Sequence, residues 1–224
     1  MAKARIAEVF ESAQGEGLYL GERQLFVRFF GCNLSCRFCD TRINSFMEYE
    51  PKELLKEIKL YKNRVHSISY TGGEPLLQKD FLMEVLPAAR NEGFKNYLET
   101  NGTLPGELKE VIDFIDILAM DIKLPSSSGM EGLWGLHRRF LMFCSRKEFF
   151  IKTIICSTTT ESDLKEALKI IKEVAQGAVL VLQPNSYDNQ AELAEKLSRF
   201  KSICAQEKVT SCIIPQMHKL VGIK

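Results

Sequence analysis

The chain has 224 residues, of which 45% are hydrophobic and 26% charged, as in an ordinary globular protein. This length predicts one domain over residues 1–224. The net charge of +1 argues against a general nucleic-acid or membrane-surface binder, because such proteins usually carry a basic excess. No apolar run approaches the ~20 residues that cross a bilayer, and the first residues lack the apolar core of a signal peptide. We therefore expect a cytoplasmic protein that binds neither nucleic acid nor membrane.

Short apolar runs alternate with helical patterns along the chain. In chain order the predicted strands are 25–30, 66–71, 97–100, 117–121, 149–155, 179–183 and 209–214. The predicted helices are 51–61, 80–92, 105–115, 133–145, 160–175 and 191–207, and Pro87 predicts a kink or a break in the second of them. This alternation predicts an α/β fold of about six βα units around a parallel sheet, too few for a closed eight-stranded barrel. A partial, open barrel and a doubly wound sheet both satisfy the pattern.

Polar or glycine-rich segments directly follow most of the predicted strands. They are 31–41, 71–75, 99–102, 121–123 and 183–185. In βα architectures the active site is built at the carboxyl ends of the strands, where these segments would meet. The sequence therefore predicts a site at this end of the sheet.

Three of the seven cysteines, Cys32, Cys36 and Cys39, have the spacing C-x3-C-x2-C. A cubane iron–sulfur cluster held by three thiolates would keep one iron open to a further ligand. Other interpretations are buried structural thiols, a zinc site completed by Asp40 or a distant His, and a disulfide beside a free thiol.

The cysteine spacing, with Phe38 before the last cysteine, and the segment Thr71-Gly-Gly-Glu-Pro75 together resemble the radical S-adenosylmethionine (radical SAM) enzymes. The resemblance implies a 4Fe–4S cluster on the three cysteines and S-adenosylmethionine on the open iron. It also implies the fold of that superfamily, a partial, open βα barrel of about six parallel strands.

Further segments resemble the 7-carboxy-7-deazaguanine synthase family within that superfamily, over the whole chain. They are residues 11–17, Arg28, Cys39-Asp-Thr41, residues 123–130 and residues 215–224. The resemblance implies conversion of 6-carboxy-5,6,7,8-tetrahydropterin to 7-carboxy-7-deazaguanine with loss of ammonia, as in queuosine biosynthesis. It further implies Mg2+, a reductant such as flavodoxin or ferredoxin, and a homodimer.

The same resemblance assigns site residues. The implied cofactor-binding residues are Phe38, Cys39, Asp40, Gly73, Glu74, Asp121, Ile122, Lys123, Gln183, Pro184 and Asn185. The implied substrate-binding residues are Ala13, Gln14, Gly15, Glu16, Arg28, Thr71, His218 and Lys224, and the implied Mg2+ ligand is Thr41. These side chains suit a pterin, whose edge carries donors and acceptors, and Arg28 or Lys219 would pair with its carboxylate. The family often has Ser-Pro-Lys where this chain has Asp121-Ile-Lys.

Two other functions fit parts of the pattern. A glycyl-radical-enzyme activating protein shares C-x3-C-x2-C but acts on a protein partner, so a pterin site would serve no purpose in it. A non-catalytic iron–sulfur or zinc protein would need no Gly-Gly-Glu-Pro segment. Cleavage of S-adenosylmethionine would separate an enzyme from such a carrier.

Overall fold

The structure is a computed structural model that describes residues 2–40, 43–145 and 147–222. Its strands are β1 Ala4–Ala13, β2 Arg23–Phe29, β3 Met47–Tyr49, β4 Ser67–Gly72, β5 Asn96–Thr100, β6 Ile117–Asp121, β7 Glu148–Ile155, β8 Leu180–Pro184 and β9 Ser211–Ile213. Its α-helices are α1 Pro51–Lys59, α2 Lys79–Asn91, α3 Pro105–Val111, α4 Pro125–Ser128, α5 Trp134–Cys144, α6 Glu161–Val174, α7 Gln190–Gln206 and α8 Met217–Val221. Short 3-10 helices occupy Gly17–Tyr19, Pro75–Gln78 and Ile112–Phe114.

The strands form one sheet in the order β3-β1-β2-β4-β5-β6-β7-β8-β9. From β2 onward neighbouring strands are parallel, whereas β1 is antiparallel to both β2 and β3. Each parallel strand lies beside the preceding one, so the βα units progress in one direction. A doubly wound sheet would reverse this order. The structure therefore confirms the open barrel, in which β3 and β9 form the two edges among the described residues, with seven parallel strands where about six were predicted.

The main apolar core lies between the outer face of the sheet and the helices. The longer helices contact one another in chain order, from α1 against α2 to α6 against α7. Strand residues such as Leu98, Leu118 and Leu180 join the buried faces of these helices in one cluster. Because this packing covers the outer face, the inner face is left to form a site.

The inner face of the sheet changes from apolar to polar towards the carboxyl ends of the strands. Residues two apart share a face of a strand. The pairs in neighbouring strands are Tyr97 and Glu99, Ala119 and Asp121, Phe150 and Lys152, and Val181 and Gln183. The first member of each pair lies in a small apolar cluster, and the second borders a cavity.

The structure differs from the predicted elements in a few places. Strands β1 and β3 and the short helices α4 and α8 were not predicted. Helix α2 continues through Pro87, although the proline ring removes one backbone hydrogen bond. The buried residues Val85, Leu86 and Ala89 hold the helix against the core and offset that loss. Among the described residues, no helix has both the length and the apolar character that crossing a membrane requires.

Candidate active site

A cavity of about 670 Å³ lies at the carboxyl ends of the parallel strands. A second cavity of about 630 Å³ adjoins it, and the two share Phe38, Cys39, Asp40, Asn185 and Tyr187. Most of the predicted site residues border the larger cavity: Ala13, Gln14, Gly15, Glu16, Arg28, Cys32, Cys36, Phe38, Cys39, Asp40, Thr71, Gly73, Asp121, Lys123, Gln183, Asn185 and His218. The structure thus brings them to one space, and their individual roles stay predictions.

Three predicted site residues are buried outside the lining of the larger cavity. Glu74 and Ile122 are fully buried behind the cavity wall, and Pro184 is buried at the end of β8. Thr41 and Lys224 lie outside the described residues.

The cysteine loop, described over residues 31–40, is held against the Gly-Gly-Glu-Pro segment, residues 72–75, by backbone contacts. The Gly73 N–H donates to the Phe29 carbonyl oxygen at 2.9 Å, and the Glu74 N–H donates to the Gly31 carbonyl oxygen at 2.8 Å. A Cβ atom on Gly73 would lie 1.9 Å from the Gly31 oxygen. Only glycine therefore permits this approach of the two loops.

Glu74 ties the segment to the end of β5 from behind. Its carboxylate accepts hydrogen bonds from the Leu76 N–H at 3.1 Å, the Thr100 hydroxyl at 2.9 Å and the Asn101 N–H at 2.8 Å. Burial raises the pKa of Glu74 to about 7, although these donors favour the charged form. Glu74, which was predicted to contact the cofactor, thus connects the Gly-Gly-Glu-Pro segment to the end of β5 and supports the cavity wall from behind.

The thiols of Cys32, Cys36 and Cys39 border the cavity but do not converge on a position where one metal ion could bind all three. Where the chain is described, no three His, Cys, Asp or Glu side chains are arranged to hold a single metal ion. Separated thiolates suit a cluster of several irons, in which each cysteine ligates its own iron. Burial raises the pKa of Cys36, and the nearby Lys123 ammonium opposes that rise.

Two lysines, the buried Lys152 and the half-buried Lys123, compensate the carboxylates of the cavity. Lys152 pairs with Glu16 and lies 3.6 Å from Asp121 Oδ1, whereas Lys123 Nζ lies 2.7 Å from Asp121 Oδ2. Burial opposes ionisation of Glu16, but the Lys152 ammonium and Gln216 lower its pKa to about 2. Burial likewise opposes the charge of Lys152, and Asp121 and Glu16 more than offset this and raise its pKa. The site therefore contains fixed charges of both signs at neutral pH.

Gln14 joins the loop after β1 to the sheet. Its side-chain amide donates to Gln24 Oε1 and to Glu99 Oε1, both at 2.9 Å, and its Oε1 accepts the Glu16 N–H at 3.1 Å. Glu99 also accepts hydrogen bonds from the hydroxyls of Ser69 and Thr71, each at 3.2 Å. Burial raises the pKa of Glu99.

The last described residues, 216–222, are called the tail, and they cover the loop after β1, which comprises residues 14–22. The Met217 N–H donates to the Gly15 carbonyl oxygen at 2.9 Å, and a Cβ atom on Gly15 would lie 2.4 Å from His218 Nδ1. Gln216 Nε2 donates to Glu16 Oε1 at 2.7 Å and to Asp40 Oδ2 at 3.1 Å. The tail thus connects the loop after β1 to the cysteine loop.

Two further cations face the cavity. Lys219 Nζ lies 2.5 Å from Asp40 Oδ2 and donates to Ser186 Oγ at 3.0 Å. Arg28 pairs with Glu8 at 3.0 Å, and its guanidinium lies 5.3 Å from the centre of the Phe10 ring. Each cation already has an anionic partner, so an incoming carboxylate would share it.

The residues present fit a cluster and S-adenosylmethionine. Two N–H groups approach the Cys32 sulfur, from Leu34 at 3.4 Å and from the Asn101 side chain at 3.8 Å, as a metal-bound thiolate requires. The amide of Gln183 is buried in the cavity wall, and neither its nitrogen nor its oxygen makes a hydrogen bond of ordinary geometry. An unsatisfied buried amide is costly, and a polar ligand in the cavity would relieve that cost.

Sequence reasoning missed two cavity residues, Lys152 and Tyr187. Glu99 and Asn101 lie in the segment 99–102 and Gln216 lies in the segment 215–224, both of which drew attention in the sequence, but no role was predicted for these three residues. Lys152 carried a usable signal, because a lysine between Phe150 and Ile154 on one face of an apolar strand must point into a polar space. The contact between Gln216 and Glu16 carried no such signal, since the two residues lie 200 positions apart in the chain.

Comparison with known proteins places the chain in a family. The model of the radical SAM superfamily matches residues 26–197. The 7-carboxy-7-deazaguanine synthase of Geobacter sulfurreducens is 37% identical over 98% of this chain and 97% of its own, and that of Archaeoglobus fulgidus is 32% identical over 99% and 100%. The crystal structure of QueE from Escherichia coli superposes with a TM-score of 0.66 at 19% identity, covering 94% of this chain and 93% of that one, which supports the fold. The chain belongs to the 7-carboxy-7-deazaguanine synthase family of the radical SAM superfamily.

Proposed function

We propose that this protein converts 6-carboxy-5,6,7,8-tetrahydropterin to 7-carboxy-7-deazaguanine with loss of ammonia. The observation that supports this most is that one cavity joins the cysteine loop to a second wall of hydrogen-bonding and charged groups from the loop after β1 and the tail. When bound, the 4Fe–4S cluster and S-adenosylmethionine supply the radical chemistry; the chain supplies binding, orientation and electrostatics.

On the cofactor side, Cys32, Cys36 and Cys39 hold the cluster. The remaining cofactor contacts come from Phe38, Asp40, Gly73, the segment 121–123 and the segment 183–185. Lys123, whose ammonium lies 5.3 Å from the Phe38 ring centre, and the buried Gln183 amide supply donors, and Gln183 supplies an acceptor as well.

On the substrate side, the anionic Glu16 accepts hydrogen bonds from donor groups of the pterin. Gln14 orients Glu99, to which its side-chain N–H donates, and the loop at Glu16, whose backbone N–H its Oε1 accepts. Arg28 and Lys219 attract the substrate carboxylate. The closed packing of the tail over Gly15 helps exclude water from the reacting groups.

The proposal includes three further components. Mg2+ binds Thr41, with water and substrate completing its oxygen ligands. A flavodoxin or ferredoxin supplies electrons, and the protein works as a cytoplasmic homodimer. Strong chelation of Mg2+ should then lower turnover, and Thr41→Ala should do so with partial rescue at high Mg2+. Turnover that is indifferent to chelation would remove Mg2+ from the proposal.

The decisive experiment reconstitutes the protein anaerobically with iron and sulfide and supplies reductant, S-adenosylmethionine and the pterin. The expected result is 7-carboxy-7-deazaguanine by mass spectrometry with an equal amount of ammonia. Cys36→Ala should abolish cofactor cleavage, whereas Cys212→Ala, outside the loop, should leave it unchanged. Cleavage of S-adenosylmethionine with the pterin recovered intact would contradict the proposed substrate.

A further inference from the structure

We propose that Asn101 donates a side-chain N–H hydrogen bond to the Cys32 sulfur and thereby raises the reduction potential of the cluster. The inference rests on the proposed role of Cys32 as a cluster ligand. Asn101 follows β5 and is only 6% exposed. Its Nδ2 atom lies 3.8 Å from Cys32 Sγ, within the range of a hydrogen bond to sulfur.

The orientation of the Asn101 amide follows from its neighbours. Its Oδ1 accepts the Thr103 backbone N–H at 3.0 Å and the Thr103 hydroxyl at 2.6 Å. A backbone N–H can only donate, so this atom must be the oxygen, and the NH2 group must face the cysteine loop.

The two hydrogens of that NH2 group have two acceptors. One is Asn33 Oδ1 at 2.9 Å, and the other is Cys32 Sγ. Asn33 in turn donates to Thr103 Oγ1 at 2.8 Å, which completes a ring of hydrogen bonds through Asn101, Asn33 and Thr103. While Cys32 is protonated, its thiol reaches Asn33 Oδ1 at 4.0 Å; ligation removes that hydrogen and leaves the sulfur as an acceptor.

The backbone of Asn101 is fixed on both sides. Its N–H donates to Glu74 Oε2 at 2.8 Å, and its carbonyl oxygen lies 3.2 Å from Nε2 of the buried His137. The amide therefore keeps its place when the charge of the cluster changes, which is what an electrostatic donor requires.

The effect on the cluster follows from charge. The reduced cluster carries one more negative charge than the oxidised cluster, so an N–H directed at a ligand sulfur stabilises the reduced form more. The Leu34 N–H, at 3.4 Å, contributes a donor that no side-chain substitution removes. Asn101 is thus a positioning and tuning residue, which acts on the cluster through Cys32.

The test is a potentiometric titration of the reconstituted cluster, followed by electron paramagnetic resonance. Asn101→Leu removes the donor at similar volume, and Asn101→Asp keeps an acceptor for Thr103 but directs a second oxygen at the sulfur. Each should shift the oxidised-to-reduced ratio at fixed potential several-fold towards oxidised, up to tenfold, or about 59 mV for one electron. Asn33→Ala is the matched control, since it breaks the same ring but leaves the Asn101 amide beside Cys32. Its ratio should stay near the wild-type value.

Equal shifts in the Asn33 and Asn101 variants would mean that loop position, not the donor, sets the potential, and would overturn the inference. If neither Asn101 variant takes up iron, the wild-type protein still decides. Its reduced cluster, with 15N only in asparagine, should show a weak nitrogen coupling, and no coupling would overturn the inference. A wild-type protein that binds no cluster would overturn the proposed function as well, whereas normal cofactor cleavage with unchanged potentials overturns this inference alone.

Discussion

The two walls of the cavity are held together by different kinds of interaction. The cofactor wall, made of the cysteine loop, the Gly-Gly-Glu-Pro segment and the end of β5, depends on backbone contacts at Gly73 and on hydrogen bonds made by Glu74 and Asn101. The substrate wall, made of the loop after β1, Lys152 and the tail, depends on charged groups such as Glu16, which pairs with Lys152, and Lys219.

This difference indicates what each wall must do. A cluster needs fixed thiolates and fixed N–H donors, which close backbone contacts provide. A polar substrate that enters and leaves needs charged partners, which can exchange one counterion for another. The acids reflect the same contrast, since burial raises the pKa of Glu74 to about 7 while Lys152 and Gln216, against burial, lower that of Glu16 to about 2.

The largest expected effect is loss of the cofactor wall by Gly73→Ala. The new Cβ would lie 1.9 Å from the Gly31 carbonyl oxygen, and backbone atoms on both sides cannot yield without moving the cysteine loop. We expect the free energy of unfolding to fall by about 3 kcal/mol and iron uptake to be lost, as measured by urea titration and iron assay. Gly106→Ala is the control, because its Cβ would meet nothing within 4 Å; iron uptake equal in both variants would contradict the close contact.

The substrate wall should break next, with Lys152→Met. The substitution leaves the Glu16 carboxylate without its cation in a mostly buried place, and removing one partner of a buried pair costs about 3 kcal/mol. Urea titration should show that loss, whereas iron uptake should persist. Adding Glu16→Gln removes the stranded charge, so the double variant should recover part of the stability. A double variant that is less stable than Lys152→Met would show that Asp121, not Glu16, depends on this lysine.

The pH dependence of stability should distinguish the walls more finely. The folded-state pKa of Glu16 lies below its ordinary value of 4.5, so its contribution is complete above about pH 4.5 and is lost as pH falls towards 2. The wild type should therefore lose about 2 kcal/mol more than Glu16→Gln over that range. Unfolding titrations of both proteins from pH 6 downwards measure the difference, and parallel curves would mean that Lys152 does not hold Glu16 ionised.

Many residues of both walls could be predicted from the sequence, whereas Lys152 and the contacts that hold the substrate wall together could not. The cysteines and glycines in residues 32–39 and 71–75 could be recognised because they lie close together in the chain, so a single sequence shows their spacing. The parallel strands were predicted for the same reason, since each strand is a run of apolar residues that are neighbours in the chain. Lys152 needed knowledge of which strand face points inward, and Gln216 needed a contact with Glu16 across 200 residues. Strand β1 was missed because its partner β2, not its own sequence, establishes it as a strand.

The smallest stability effect should come from Lys219→Met at the mouth of the cavity. Lys219 and Asp40 have side-chain exposures of 23% and 28%, and partly solvated pairs contribute about 0.5 kcal/mol, less at high salt. The free energy of unfolding should therefore hardly change, as it should in Lys169→Met, whose partner Glu166 lies 3.7 Å away on α6. Only Lys219 borders the cavity, so only its loss should raise the KM for the pterin, about fivefold or more for one lost charged hydrogen bond. The value of kcat at saturating pterin should stay near that of the wild type. A fall in kcat with unchanged KM would contradict the prediction, because it would mean that Lys219 acts in the chemical step and does not attract the substrate carboxylate.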